Sequence, residues 1–230
     1  MTGFLASIKD SYEARKIVDS EIDIIDLKNV DEGALGFVGL NFINEAKSIL
    51  KNHRISVTLG NNYNPNNKDT ISILLKIIEK EIDYVKIGLF DKETIKYHKS
   101  LLEKIKFSKT KPICVIFADK TFDLNIIERM IEMGYKGIMI DTFNKNYKPM
   151  TEILSRSEIR KFVKIVKEKK SICGLSGSLK INDIGFLKTL KPDFLGFRGQ
   201  LCSSKSGRSN INLGLLRQVS AEIKSSSVSF

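Results

Sequence analysis

Eight short runs rich in Ile, Val, Leu and Phe recur along the chain, and each is followed by a longer stretch in which apolar residues keep helical spacing among Lys and Glu. This alternation predicts β-strands separated by helices. Because helices rather than tight turns join them, neighbouring strands are expected to be parallel, with right-handed crossovers. The predicted strands are residues 4–8, 22–28, 55–60, 84–89, 113–118, 137–142, 172–176 and 194–198.

The number and order of these elements predict a single (β/α)8 TIM barrel. The segments before the even-numbered strands resemble one another, and such an internal repeat suits a closed eightfold barrel. A flavodoxin-like open sheet is the alternative architecture. No Pro-rich or Gly/Ser-rich linker divides the chain, so residues 1–224 are expected to form one catalytic domain and the Ser-rich residues 225–230 a frayed tail.

Composition narrows the possible partners. The chain has 230 residues, of which 42% are hydrophobic, and a formal net charge of +11. The basic residues are mostly Lys and are spread over all the helical segments, which argues against a nucleic-acid partner and is compatible with a small anionic ligand. The chain contains no apolar run of about 18 residues, so we expect no membrane partner and a cytoplasmic protein.

The cysteines and histidines show no metal-binding pattern. Cys114, Cys173 and Cys202 are far apart and lack C-x-x-C spacing, so reduced thiols are expected. His53 and His98 are isolated and are expected to be surface or structural residues. Without clustered His, Cys or carboxylate ligands, the sequence predicts neither a catalytic metal nor another cofactor.

Charged residues end several predicted strands, at the end of a barrel that carries catalytic groups. Strand alternation places Asp26 and Lys28 on one face, and it aims Lys86 and Asp141 inward from the fourth and sixth strands. Amines and carboxylates gathered in one barrel mouth can form a Schiff base and move protons around it. Lys145, four residues after Asp141, is weaker evidence, since i,i+4 ion pairs are common on helices. Alternatively, Lys28 extends to solvent and Lys86 forms a structural ion pair.

Glycine-rich loops after the last two predicted strands suggest a phosphate site. Gly177 and Ser178 follow strand seven, and Arg198 and Gly199 close strand eight, where TIM barrels receive phosphate on backbone N–H groups. The glycines permit close approach of a ligand, and the guanidinium of Arg198 offers a two-pronged donor for phosphate oxygens. We therefore expect a phosphorylated substrate. Asp119, after strand five, is equally compatible with the site and with a helix N-cap.

The motifs on these strands and loops are Asp26-Leu27-Lys28-Asn29, Glu32-Gly33-Ala34-Leu35-Gly36, Asp83-Tyr84-Val85-Lys86-Ile87-Gly88-Leu89, Asp141-Thr142 with Lys145, Gly177-Ser178-Leu179-Lys180 and Gly196-Phe197-Arg198-Gly199. Together they resemble the (5-formylfuran-3-yl)methyl phosphate synthase family, from the first strand to the last helix. The resemblance implies a TIM-barrel lyase that condenses two molecules of glyceraldehyde 3-phosphate, with loss of phosphate and water, into the furan precursor of methanofuran. It further implies that Lys28 is the Schiff-base lysine, that Lys86 and Lys145 assist, and that Asp141 handles protons.

The implied chemistry is a hypothesis about two trioses. One loses its phosphate through an enamine, the second adds as an aldehyde in an aldol step, and dehydration with ring closure gives the furan without a redox cofactor. The chain departs from the expected family pattern at Asn61, where an acidic residue is expected, and at Gln200 and Leu201, where small residues are expected. Either change can alter loop closure or the pocket for the second substrate.

Two other functions remain open at this point. Another class I aldolase of a sugar phosphate would use the same amine, acid and phosphate-binding loops, and its product would distinguish it. A basic nucleic-acid-binding barrel without catalysis predicts salt-dependent binding to DNA or RNA. Barrels often assemble through their outer helices, so a homo-oligomer is compatible with the sequence.

Overall fold

The computed structural model describes residues 1–144, 148–203 and 209–225, and within them the strands close into a parallel barrel. Strand order follows the sequence, and the last strand pairs with the first to complete the sheet. The predicted barrel is confirmed, and the open sheet is wrong. The strands are β1 (Gly3–Ile8), β2 (Ile24–Leu27), β3 (Arg54–Thr58), β4 (Tyr84–Gly88), β5 (Lys111–Phe117), β6 (Gly137–Asp141), β7 (Ile172–Leu175) and β8 (Phe194–Phe197).

All eight predicted strands are present, with ends that differ from the predicted ones by at most two residues. Lys28 and Arg198 were predicted as the last residues of their strands. In the structure they follow β2 and β8 directly, so each side chain projects from the beginning of a loop at the carboxyl end of the barrel. This is the position from which TIM barrels present functional groups.

Helices cover the outside of the barrel. In the described residues they are α1 (Ser11–Ile17), α2 (Leu40–Ile49), α3 (Lys68–Glu79), α4 (Ile95–Lys104), α5 (Leu124–Glu132), α6 (Met150–Ile153), α7 (Arg156–Glu168), α8 (Ile184–Thr189) and α9 (Leu213–Lys224). The sequence of α7 shows why such a helix forms here. A capping box between Ser155 and Glu158 satisfies its first N–H groups, and its buried side chains, such as Ile159 and Phe162, recur at helical spacing. None of the helices in this described part is long and apolar enough to cross a membrane.

The pleat of the strands divides their side chains into two sets. Side chains such as Ile25 and Val57 point outward and join the large apolar core beneath the helices. The inward set forms a smaller apolar cluster that includes Leu5, Ile113 and Met139. Because this inner cluster fills the lower barrel, the polar residues nearer the carboxyl ends stand on an apolar floor.

An aspartate just before three of the even-numbered strands makes the same contact each time. Asp23, Asp83 and Asp193 precede β2, β4 and β8, and each accepts a bond from the backbone N–H of a residue in the preceding odd-numbered strand at 2.8 to 2.9 Å. This bond satisfies a donor at the lower rim that would otherwise lack a partner. Strands β2, β4 and β8 are thus each joined to the preceding strand in the same way.

The first residue of the predicted tail, Ser225, contacts α8. Ser225 follows α9, and both its carbonyl oxygen and its hydroxyl accept bonds from Nζ of Lys188, at 2.7 and 3.0 Å. The frayed tail stays a prediction. The remaining residues of the predicted tail, 226–230, lie outside the described residues.

Candidate active site

Two buried ion pairs lie inside the barrel, just above the apolar floor. Nζ of Lys86 is 2.8 Å from Oδ1 of Asp26, and Nζ of Lys28 is 3.6 Å from Oδ2 of Asp141. All four residues are less than 10% exposed. Charges this far from solvent are costly unless they are paired, and here each ammonium has a carboxylate. The predicted inward orientation of these four side chains is confirmed.

Hydrogen bonds fix the two carboxylates in place. Oδ2 of Asp26 accepts a bond of 2.8 Å from the hydroxyl of Ser7, its register partner on β1. Oδ1 of Asp141 accepts a bond of 2.7 Å from the backbone N–H of Thr142. Each carboxylate therefore uses one oxygen for orientation and the other for its lysine. This arrangement holds two amines and two acid–base groups at set positions.

A cavity of about 710 Å³ opens above these ion pairs. The four charged residues and Ser7 line its lower part, and the loops after β7 and β8 line its upper part. Its volume lies in the range typical of small-molecule sites. The barrel therefore presents its amines and carboxylates to a space that can hold a ligand of moderate size.

The loop after β7 has the backbone geometry of an anion-binding loop. Gly177 has φ of 100° and Ser178 has φ of 54°, and a Cβ at Gly177 would lie 3.0 Å from atoms of Met150 and Thr142. Glycine is therefore required at this position. Among the described residues, no acceptor takes the N–H groups of Ser178 and Leu179. These donors are available to a ligand in the cavity.

The loop after β8 offers a second set of donors beside the first. Gly199 and Gln200 begin a short 3-10 helix and line the cavity. Their N–H groups likewise find no acceptor within the described ranges. Backbone N–H groups from two neighbouring loops can together bind phosphate oxygens. The sequence-predicted residues Gly177, Ser178 and Gly199 are thus gathered on one wall of the cavity, although their ligand remains a prediction.

Arg198 lines the same wall, but its guanidinium is bonded to protein. Nη1 lies 2.6 Å from Oε2 of Glu13 and Nη2 lies 3.1 Å from Oε1. Glu13 was not predicted as a residue near the site, although its position in the sequence indicates that it is buried. Glu13 lies four residues before Ile17 on the buried face of α1, where a carboxylate needs a partner. Direct phosphate binding by Arg198 stays a prediction.

The beginning of the loop after β6 is fixed by Asp119, which lies in the loop after β5. The carboxylate of Asp119 accepts bonds of 2.7 and 2.9 Å from the backbone N–H groups of Phe143 and Asn144. It does not cap α5, whose N-cap is Asp123. The predicted site residue Lys145, which follows Asn144, lies outside the described residues.

Asn61, where the family pattern led us to expect an acid, ties two loops together. Its Oδ1 accepts a bond of 2.9 Å from the N–H of Leu35, and its Nδ2 donates to the carbonyl of Glu32. A carboxylate could not make the second bond, because it has no N–H. The departure at Asn61 therefore stabilises the loop that follows β2.

Of the isolated cysteines and histidines, Cys202 lines the cavity, whereas Cys114, Cys173, His53 and His98 do not. The three cysteines are buried, and burial raises the pKa values of their thiols, so they are poor nucleophiles. The ring of His98 bonds to the hydroxyl of Tyr135 at 2.6 Å, and the ring of His53 bonds to the carbonyl of Val18 at 2.7 Å. In the described parts of the chain, no group of three or more His, Cys, Asp or Glu could hold a metal ion.

Comparison with solved structures supports the fold class. The chain is similar to KGPDC from Streptococcus mutans, with a TM-score of 0.64, 13% identity, and 97% of this chain and 98% of that chain covered. It is also similar to a 3-hexulose-6-phosphate synthase, with a TM-score of 0.64, 11% identity, and 96% of this chain and 100% of that chain covered. At these identities the likeness shows the TIM-barrel fold alone.

Sequence comparison identifies the family. The model of the 4-HFC-P synthase family matches residues 4–220, so the chain belongs to that family of enzymes. It is 30% identical over 213 residues to (5-formylfuran-3-yl)methyl phosphate synthase of Methanosarcina mazei, which covers 87% of this chain and 90% of the relative. It is 31% identical over 212 residues to the enzyme of that name from Methanococcus maripaludis strain C7, with 86% and 89% covered. The resemblance seen in the motifs is confirmed.

Proposed function

We propose that the protein condenses two molecules of glyceraldehyde 3-phosphate into (5-formylfuran-3-yl)methyl phosphate, a step of methanofuran biosynthesis. The observation that carries the proposal is the pair of buried ion pairs, Lys28–Asp141 and Lys86–Asp26, at the bottom of one cavity. One of the two amines can form an imine with the aldehyde of the substrate. The other amine and the two carboxylates can then transfer protons beside it. Membership of the 4-HFC-P synthase family supports the product.

The proposed reaction balances without an oxidant. Two trioses of formula C3H7O6P contain one H3PO4 and two H2O more than the furan phosphate, C6H7O6P. One inorganic phosphate and two water molecules therefore leave, and one phosphate stays on the product. Formation of the aromatic ring drives the sequence forward. The protein needs to supply only imine formation, proton transfer and binding.

In the first half-reaction, Nζ of Lys28 forms an imine with carbon 1 of one triose. Loss of the proton at carbon 2 gives an enamine, and this enamine expels phosphate from carbon 3. Asp141, whose carboxylate lies 3.6 Å from Nζ of Lys28, is close enough to exchange protons beside the imine. Lys86, which Asp26 holds at 2.8 Å, assists as a second amine.

The branching of the furan decides how the second triose reacts. Addition to its aldehyde carbon would give an unbranched chain of six carbons, and such a chain closes to a furan substituted on both carbons next to the ring oxygen. In a (5-formylfuran-3-yl)methyl phosphate the phosphomethyl group sits on a carbon that is not next to the oxygen. The new bond must therefore go to carbon 2, so the second triose reacts as its ketone isomer. The aldehyde addition expected from the sequence is replaced by this step.

Reaction as a ketone adds a proton-transfer task to the same site. A proton must move between carbons 1 and 2 of the second triose before the carbon–carbon bond forms. Asp26 and Lys86 on one side, with Lys28 and Asp141 on the other, offer acid–base groups for this transfer. The phosphate that stays on the second triose is bound by the N–H groups of the loops after β7 and β8.

The test is incubation with glyceraldehyde 3-phosphate and borohydride in parallel with incubation without reductant. We expect a furan aldehyde phosphate, seen by ultraviolet absorbance and mass, and a reduced adduct on Lys28. Lys28→Arg keeps a positive charge beside Asp141 but cannot form an imine, so it should abolish both signals. Lys164→Ala on α7 removes an exposed lysine and is the matched control.

The other outcomes separate the alternatives. A product that is a furan with its two substituents on the two carbons next to the ring oxygen would overturn the ketone step. An adduct on Lys28 without any furan would indicate another class I aldolase of a sugar phosphate. The absence of both signals, together with salt-dependent binding to DNA or RNA, would favour a basic binding barrel without catalysis.

A further inference from the structure

The carboxylate of Glu13, beside the cavity, accepts hydrogen bonds from several parts of the chain. Glu13 is fully buried, and its oxygens accept bonds from both terminal nitrogens of Arg198. The N–H of Lys9 donates to Oε2 at 3.0 Å, and the N–H of Ile211 donates to Oε1 at 3.0 Å. Four donors therefore converge on one carboxylate, which leaves little capacity for a further partner.

The partners of Glu13 come from distant parts of the chain. Lys9 follows β1, Arg198 follows β8, and Ile211 precedes α9. Arg198 also donates to the carbonyl oxygens of Ser7, at 3.1 Å, and Ser209, at 2.9 Å. The ion pair thus joins the strand that carries Ser7 to both sides of the loop that follows β8.

Two further contacts hold the far side of this loop. Nζ of Lys16, one helical turn after Glu13, donates to the carbonyl of Ile211 at 2.7 Å. Ile211 also forms an isolated antiparallel bridge with Cys202. Because Gly199, Gln200 and Cys202 line the cavity, the residues fixed by Glu13 are the direct supports of its upper wall.

We propose that Glu13 is a positioning residue for phosphate binding, acting through Arg198 on the loop after β8. In this arrangement Arg198 supports the loop, and the backbone N–H groups of Gly199 and Gln200 bind the phosphate oxygens. A bidentate buried ion pair fixes direction as well as distance, which a flexible surface lysine would not do. The inference rests on the proposed phosphate site, and it replaces the direct role predicted for Arg198.

The two possible roles of Arg198 predict opposite effects at Glu13. If Arg198 binds phosphate directly, Glu13 competes for its guanidinium, and Glu13→Gln should leave phosphate affinity unchanged or increase it. If Arg198 positions the loop, Glu13→Gln should decrease affinity, because the guanidinium loses its anchor. Misplaced donors commonly cost about 10- to 100-fold, so the difference is measurable.

The experiment measures binding of inorganic phosphate by calorimetry, and KM and kcat for furan formation, in four variants. These are Glu13→Gln, Arg198→Met, the double variant, and the control Glu21→Gln, which alters an exposed pair with Lys224. We expect both single variants to weaken phosphate binding and raise KM by about 10-fold or more, with kcat little changed. The double variant should be no worse than either single variant, since both remove the same support. Glu21→Gln should behave as the wild type.

Several results would overturn the inference. These are unchanged or tighter phosphate binding by Glu13→Gln, additive losses in the double variant, or a fall in kcat at constant KM. If Glu13→Gln does not fold, because it leaves a buried guanidinium uncompensated, Glu13→Asp keeps the charge and carries the same comparison. Phosphate affinity is measured without turnover, so absence of furan formation would reject the proposed function while leaving this inference standing. A wild-type protein that binds no phosphate would reject the inference itself.

Discussion

At the scale of single residues, Asp26 is the group on which the buried site depends most. It accepts the Ser7 hydroxyl on one oxygen and holds Lys86 on the other. Asp26→Asn leaves the lysine buried without a counter-charge and removes an acid–base group. We expect kcat to fall by about 10²- to 10⁴-fold. The measurements are kcat from furan absorbance and the mass of the borohydride-trapped adduct, which should still form because Lys28 and Asp141 are untouched.

Ser7→Ala is a milder change that affects the same carboxylate. It removes one hydroxyl hydrogen bond to the charged Asp26 and keeps the carboxylate, so the expected loss of kcat is about 10-fold, near the lower end of the worth of a hydrogen bond to a charged group. Wild-type turnover in Asp26→Asn would contradict the role given to the carboxylate. A loss in Ser7→Ala as large as in Asp26→Asn would show that orientation, rather than charge, is what matters.

His98 makes folding stability depend on pH. Burial lowers the pKa of His98 from its ordinary 6.5 to about 4. Because the pKa in the folded state is the lower one, the unfolded chain takes up the proton first, and stability is lost as pH falls from 6.5 towards 4. The loss from this residue is about 3 kcal/mol. We expect His98→Asn, which keeps a polar group near the Tyr135 hydroxyl, to lack this part of the dependence.

The measurement is urea unfolding of both proteins at pH 7 and at pH 4.5. Carboxylates titrate in the same interval, but they are common to both proteins and cancel in the difference. The stability gap between wild type and His98→Asn should therefore narrow or reverse at the lower pH. A gap that stays constant would show that burial does not hold the ring neutral.

The orientation of a side chain could be predicted from the sequence where its neighbours in the chain determine it. Strand alternation is a property of adjacent residues, and it was sufficient to aim Asp26, Lys86 and Asp141 into the barrel. The pair of Glu13 and Arg198 was not predicted, because 185 residues separate its members and only closure of β8 onto β1 brings them together. The helical spacing of Glu13 shows that it is buried but does not name its partner.

At the scale of elements, the loop between β2 and α2 depends on one glycine. Gly36 forms an antiparallel bridge with Asn29, and its carbonyl accepts a bond of 2.6 Å from the Thr58 hydroxyl. A Cβ at this position would overlap the carbonyl oxygen of Asn29. Gly36→Ala should therefore destabilise the protein by about 1 to 3 kcal/mol. It should also lower kcat, because the displaced Asn29 directly follows Lys28.

Gly185→Ala is the matched control. Apart from its chain neighbours and the nearby backbone of α8, no atom of the described residues lies within 4 Å of a Cβ built at Gly185, which is in α8. Alanine favours a helix over glycine, so this variant should gain up to about 1 kcal/mol. Thermal unfolding of both variants, with the wild type alongside, is the measurement. The same direction of change in both variants would show that steric overlap is not what constrains Gly36.

The elements themselves could be predicted because each strand is a short run rich in Ile, Val, Leu or Phe and is separated from the next strand by helix. The errors lie at their ends, where tertiary contacts decide. β5 begins at Lys111, two residues before its apolar run, because the N–H of Lys111 bonds to the carbonyl of Asp83 at 2.8 Å. Such a bond between neighbouring strands has no signature in the local sequence.

At the scale of the whole molecule, the barrel separates two electrostatic environments. Its exterior carries most of a formal net charge of +11, and its interior holds lysines that are already neutralised by carboxylates. The exterior field attracts anions over a distance of about 10 Å at moderate salt. The buried pairs act only on a substrate that has arrived. Substrate capture, measured by kcat/KM, should therefore depend on ionic strength more than the chemical steps, measured by kcat.

We expect kcat/KM for glyceraldehyde 3-phosphate to fall by about 3- to 10-fold as NaCl rises from about 50 to 500 mM, because screening weakens attraction of the phosphorylated substrate. The value of kcat should change little, since Lys28 and Lys86 are paired with carboxylates at 3.6 and 2.8 Å and a bound substrate occupies the cavity above them. Potassium acetate at equal ionic strength separates screening from chloride binding at the phosphate loops. If kcat/KM is constant in both salts, contacts within the cavity alone govern substrate capture, and the positive exterior has no part in it.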